Sequence, residues 1–63
     1  MNEGVVIEIL EGYAAGLTDR QIARRLYVSR SHAQRKAATL RKELGAKSRP
    51  HAVALAIRRG YIR

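Results

Sequence analysis

Three glycines constrain this chain more than anything else in it. Gly16, Gly45 and Gly60 each close a run with helical spacing, and each is followed by an apolar residue, Leu17, Ala46 and Tyr61. A left-handed glycine just past a helix, with an apolar contact one residue on, is a frequent way for a helix to end. Three such stops imply at least three helices, and a further boundary must lie between Gly16 and Gly45. The chain has only 63 residues. Residues 1–63 therefore make one domain at most, and a domain of this size buries only about 60% of its unfolded surface.

The runs between the stops have clear periodicity. The first is expected from about Gly4 to Ala15, with Val6, Ile9, Leu10 and Tyr13 on one stripe. Glu3 and Glu8 lie toward its N-terminal end, where the helix dipole favours acids. Gly12, which costs about 1 kcal/mol against alanine inside a helix, marks close packing. The second run opens with Thr18-Asp19-Arg20-Gln21, the pattern of a capping box, and buries Ile22, Ala23 and Leu26 before ending near Leu26 or Tyr27. Ser29 is the next N-cap. From there to Leu44, the residues Ala33, Ala37, Leu40 and Leu44 share one arc. The opposite arc carries Ser31, Gln34, Arg35, Ala38 and Lys42, with Arg30 and Arg41 on its flanks. A fourth helix should start around Ser48 to Pro50, since proline is tolerated in a first turn. Leu55, Ala52 and Ala56 span its core face. Val53 and Ile57 widen the apolar arc to roughly 200° at 100° per residue, beyond what one small core covers. Both are placed outside the core. The surplus is either a self-association surface or a pair of exposed apolar residues without consequence.

Charge then narrows the partners. Residues 1–19 hold four acids and no base, whereas residues 20–63 hold all thirteen Lys and Arg and one acid, Glu43. A net charge of +8, distributed so unevenly, points to phosphate backbones or anionic lipid. Ten of the thirteen bases are arginine, whose planar fork pairs bidentately with phosphate or guanine. The chain has no cysteine, which excludes disulfides, thiolate metal sites and cysteine nucleophiles, and suits a reducing cytoplasm. No apolar stretch approaches the ~20 residues of a membrane span.

The second and third helices are joined by only Tyr27-Val28. Two helices so closely linked, the second longer and more basic, describe a helix-turn-helix. Ala23 is small where the helices cross, Val28 should plug the turn into the core, and Ala33 should let the second helix approach the first. The outward face is then free to enter a major groove about 12 Å wide. A glycine is common in such a turn, but here Tyr27 takes its place.

At this point a family likeness becomes specific. The segment "EILEGYAAGLTDRQIARRLYVSR", followed by "LRKELGAKSRPHAVALAIRRGYI", resembles the LuxR/GerE-type DNA-binding domain. That family runs roughly E-V-L, a short gap, G-L-T/S-x-x-x-I-A-x-x-L-x-[IV]-S, about ten residues, then I/L-x-x-K-L-G-x-x-S-R-x-x-A-V. The likeness extends without a gap from Glu8 to about Tyr61, some 54 of 63 residues. It implies an all-α, four-helix fold: a tri-helical core carrying the helix-turn-helix, with a C-terminal fourth helix. It also implies a stand-alone, GerE-like member, because no receiver or ligand-sensing domain precedes it in this sequence.

Carried over residue by residue, the resemblance implies base-edge contacts from Gln34, Arg35 and Ala38. It implies phosphate contacts from Thr18, Arg20, Ser29, Ser31 and Lys42, to which the neighbouring cations Arg30, Arg41 and Lys47 are added. Gln34, Arg35, Ala38 and Lys42 also share the polar arc of the third helix, independently of the resemblance. Gln suits adenine N6/N7 and Arg suits guanine O6/N7, while Ala38 either touches a thymine methyl or only avoids a clash. The family often dimerises through its last helix, which implies a weak homodimer through Val53 and Ile57. The departures are also informative. "NEGVV" stands where the family has L-T-x-R-E, His32-Ala33-Gln34-Arg35-Lys36 where it has T-V-K-x-H, and Glu43 where it has lysine. The scaffold pattern is kept while the reading face differs, so a relative's target site does not transfer.

Other chemistry has little support. His32 and His51 lie far apart in sequence with no cysteine or clustered acid, so no metal or other cofactor is expected. Glu8 and Glu11 read as a solvated helix face rather than a catalytic pair, and neither an enzyme activity nor a small-molecule ligand is expected. Tyr13, Tyr27 and Tyr61 are placed in core and cap packing rather than stacked on bases. The leading expectation is a cytoplasmic, nucleoid-associated regulator of transcription that binds double-stranded DNA. An accessory factor in phage or plasmid recombination or packaging would share the fold, and a footprint at an attachment site would distinguish it. A cationic membrane-surface peptide would be amphipathic throughout and would lack the three glycine stops.

Overall fold

The structure, a computed structural model, describes residues 3–63, and side chains from Gly4 onward. The expectation for the Glu3 side chain thus lies outside the described residues. Four helices follow in order: α1 (Glu3–Ala14), α2 (Asp19–Leu26), α3 (Arg30–Leu44) and α4 (Arg49–Arg58). Among the described residues there is no strand, so the fold is all-α.

Local chemistry sets the boundaries. Thr18 Oγ1 accepts from the Gln21 N–H at 3.2 Å, and Gln21 Oε1 accepts from the Thr18 N–H at 2.8 Å, which completes the capping box. Ser29 and Ser48 cap α3 and α4, accepting from the His32 and His51 N–H groups, each at 3.1 Å. Pro50 sits in the first turn of α4, where its missing N–H leaves no bond unmade. Gly16, Gly45 and Gly60 have φ of 76°, 74° and 75°. In each case the glycine N–H and the next N–H turn back onto the last helical carbonyls. α2 ends the same way without a glycine. Tyr27 has φ 58°, its N–H donates to Arg24 O and the Val28 N–H donates to Ala23 O.

α1 supplies the centre of the core: Ile9 and Leu10 are fully buried, with Tyr13 beside them. Ile22 of α2, Ala37, Leu40 and Leu44 of α3, and Ala52 and Ala56 of α4 pack around them. α2 lies mainly on α3, and α1 mainly on α4. The α1–α2 approach needs Gly12, because a Cβ there would lie 2.7 Å from Ile22 Cγ1.

Several expectations change. Val53 is partly buried and packs against the core, so it does not lie outside it. The two fully buried alanines, Ala52 and Ala56, sit at the middle of the α4 face, and Leu55 and Val53 flank them. Only Ile57, at 49% exposure, stands clear on the surplus side. Val28 is only partly buried and is not among the residues packed on the main core. Tyr27 packs on nothing, at 95% exposure: a side chain leaving a left-handed residue in so tight a turn projects away from both helices. After the last glycine stop it is Ile62 that reaches the core, while Tyr61 stays half exposed.

Candidate nucleic-acid interface

α3 is amphipathic by construction. Its apolar arc, Ala33, Ala37, Leu40 and Leu44, is buried. Small residues dominate the part nearest α2 and bring the two helices close, so the opposite arc must face solvent. Ser31, Gln34, Arg35, Ala38 and Lys42 are all exposed there, with Arg30 beside them. Three residues, Tyr27, Val28 and Ser29, separate α2 from α3. Where the helices cross, Thr18, Asp19 and Arg20 at the start of α2 share one shallow hollow with Arg30 of α3 and Arg49 of α4. His32, Arg35, Lys36 and Thr39 line a second hollow along α3.

The face is strongly cationic because almost nothing on it is neutralised. Among the described residues the salt bridge joins Arg49 to Asp19, and Arg20, Arg30, Arg35, Lys36 and Lys42 pair with no described carboxylate. Ser29 is exposed, but its hydroxyl serves as the α3 cap. Lys47 is exposed between α3 and α4, and its N–H donates to His51 Nδ1 at 2.9 Å.

Arg41 differs from the other candidate cations. It is partly buried, and its Nη1 donates to the Tyr13 hydroxyl at 2.5 Å. Its guanidinium is thus anchored to α1 rather than free on the face. Val53 and Ile57 lie on α4, away from the α3 arc in sequence and on a different element.

A network that the sequence did not suggest joins all four helices. Arg49 Nη2 donates to Asp19 Oδ1 at 2.6 Å, and Gln34 Nε2 donates to Asp19 Oδ2 at 3.2 Å. The Asp19 side chain is 19% exposed against 43% for Arg49, so the pair is shielded more than an open surface pair. The Arg49 guanidinium also lies over the Tyr13 ring, 5.1 Å from its centroid, within cation–π range. Tyr13 therefore holds Arg41 through its hydroxyl and Arg49 through its ring. The available signal was Asp19 itself, the single carboxylate in a long cationic stretch.

No family model matches the chain, and no curated protein or solved structure matches it. Among the described residues, no helix is long and apolar enough to cross a membrane.

Proposed function

We propose that this chain is a sequence-specific, double-stranded DNA-binding regulator of transcription of the LuxR/GerE helix-turn-helix type, with α3 in the major groove. One observation carries the reading. The solvent arc of α3 presents Gln34, Arg35 and Ala38 between an exposed hydroxyl and cationic groups that have no ion-pair partner among the described residues. A helix of this kind, backed by a short capped helix, meets both demands of groove recognition: donors for base edges and cations for the flanking phosphates. Arg20, Arg30, Ser31, Lys42 and Lys47 are the phosphate-side groups in this reading, while Thr18 and Ser29, whose hydroxyls cap α2 and α3, contribute their positions at the helix starts. Arg41 is reassigned to holding α3 on α1, because Tyr13 already engages it.

Selection of bound sites from random duplexes tests the proposal, combined with affinity measured against salt. The expected result is a defined motif, together with a fall in log affinity of about 0.9 per neutralised phosphate for each unit of log salt. A nearly flat salt dependence, or selection of no motif at any salt, would refute it.

A further inference from the structure

Asp19 is out of place by charge. It is the only acid between Glu11 and Glu43, a span that holds eight Lys or Arg. It lines the hollow together with Arg20 and Arg30, where a phosphate-binding surface gains nothing from a carboxylate. Both its oxygens are nevertheless occupied by designated partners, Arg49 and Gln34. From this we infer that Asp19 is a specificity-determining residue. It orients Gln34 toward one base edge, and its charge weakens binding to phosphate alone. The inference rests on the proposed placement of α3 in the major groove and deepens it.

The orientation follows from hydrogen-bond inventory. An ionised carboxylate only accepts, so the Gln34 amide must turn its NH2 toward Asp19. One N–H and the Oε1 acceptor remain free. Those are the two groups that adenine requires, a donor for N7 and an acceptor for the N6 amino group. An exposed glutamine otherwise samples many rotamers, and fixing it beforehand reduces the ordering cost of contact. Asp19 is itself held in place: Arg49 grips Oδ1 and lies over the ring of Tyr13, a core residue. The Gln34 side chain is thereby positioned from the core outward.

The charge acts in the other direction. Asp19 neutralises Arg49, and it lowers the local field beside Arg20 and Arg30. Random duplexes are bound through phosphates, so they lose most from this. Discrimination grows when the wrong partner is penalised as well as when the right one is favoured. An acid serving only the helix dipole at the start of α2 would affect stability and leave base preference alone.

The test compares wild type, Asp19→Ala, Asp19→Asn, Gln34→Ala and the Asp19→Ala/Gln34→Ala double variant. Each is measured by site selection and by titration of selected and random duplexes over a salt series. Asp19→Ala is expected to relax preference at the single base pair under Gln34 by about tenfold. It should also tighten random-duplex binding and steepen its salt slope by about 0.9, because Arg49 becomes free to meet a phosphate. The double variant should show no more loss of preference than Gln34→Ala. Asp19→Asn retains an acceptor for Gln34 and should keep the preference while sharing the steeper slope. Should the alanine variant lose helix content, the asparagine variant carries the charge arm by itself. An unchanged motif in Asp19→Ala, additive losses in the double variant, or an unaltered salt slope in Asp19→Asn each overturns the inference. If wild type selects no motif, the groove reading itself fails and takes this inference with it; a clear wild-type motif untouched by Asp19→Ala removes this inference alone.

Discussion

Two residues carry backbone or packing constraints that can be tested one at a time. Tyr27 adopts φ 58°, where an L side chain crowds its own carbonyl, at a cost of roughly 1–2 kcal/mol. At 95% exposure its ring regains nothing from the core. Tyr27→Gly should therefore raise stability by about 0.5–1 kcal/mol after glycine's larger unfolded-state entropy is counted. A urea midpoint that falls instead would mean that the ring has a compensating contact. Gly12 is the opposite case. Helix propensity alone favours alanine there by about 1 kcal/mol. The added Cβ would meet Ile22 Cγ1 at 2.7 Å, and Ile22 is itself buried and cannot swing away. Overpacking of about 1–3 kcal/mol outweighs the propensity gain, so Gly12→Ala should lower the thermal midpoint. Close packing at Gly12 was readable in the sequence, because a glycine inside a helix weakens it unless a neighbour fills the space of the missing side chain. Tyr27 was not: tyrosine resists the left-handed region, and only the demand of a three-residue turn places it there.

At the scale of the element, α2 and α3 divide the work of the proposed interface. Arg35 lies on the solvent arc of α3, and Arg20 lies at the start of α2 beside the Thr18 cap. Arg35→Ala should cost about 1–3 kcal/mol on a selected site and relax preference at one base pair. Arg20→Ala should weaken all duplexes by a similar factor. Competition titrations against random DNA separate the two, and equal loss on both duplexes in Arg35→Ala would move that residue off the reading face. Both arcs of α3 were legible in the sequence, because 3.6-residue periodicity is a local property. The placement of Arg41 was not, since its partner Tyr13 belongs to α1, 28 positions earlier.

At the scale of the whole molecule, size and charge set the behaviour. The folded surface is 4327 Å², against roughly 10,000 Å² for an unfolded chain of this mass. Roughly 60% of the surface is therefore buried, which leaves a small margin of stability and makes association valuable. The surplus apolar position on α4 is Ile57, since Val53 leans on the core. If two copies meet through α4 across a two-fold axis, Ile57 is the exposed large apolar residue of α4 that the contact would bury. Two half-sites on one duplex then raise the effective concentration of a contact too weak to persist in free solution. Ile57→Lys should keep the monomer's helix content and abolish cooperativity on a duplex with two half-sites, while single-site affinity is retained. Undiminished cooperativity in gel-shift titrations would rule out α4 as the contact.

The sequence by itself determined the four helices, the capping box at Thr18, the Ser29 cap, the three glycine stops and the buried faces of α1, α2 and α3. Each of these depends on short-range physics: a hydroxyl three residues from an N–H, a glycine free to take positive φ, an apolar residue every third or fourth position. Tertiary structure alone decided what the helices exchange when they cross. Asp19 meets Gln34 across 15 positions and Arg49 across 30. Val53 is partly buried against the core, and Ile62 returns to it after the last stop. No periodicity encodes these contacts, because they depend on the separation and relative rotation of two helices. Both are fixed by volumes summed over the whole core, with Gly12 against Ile22 and the paired alanines of α3 and α4 setting the distances of approach.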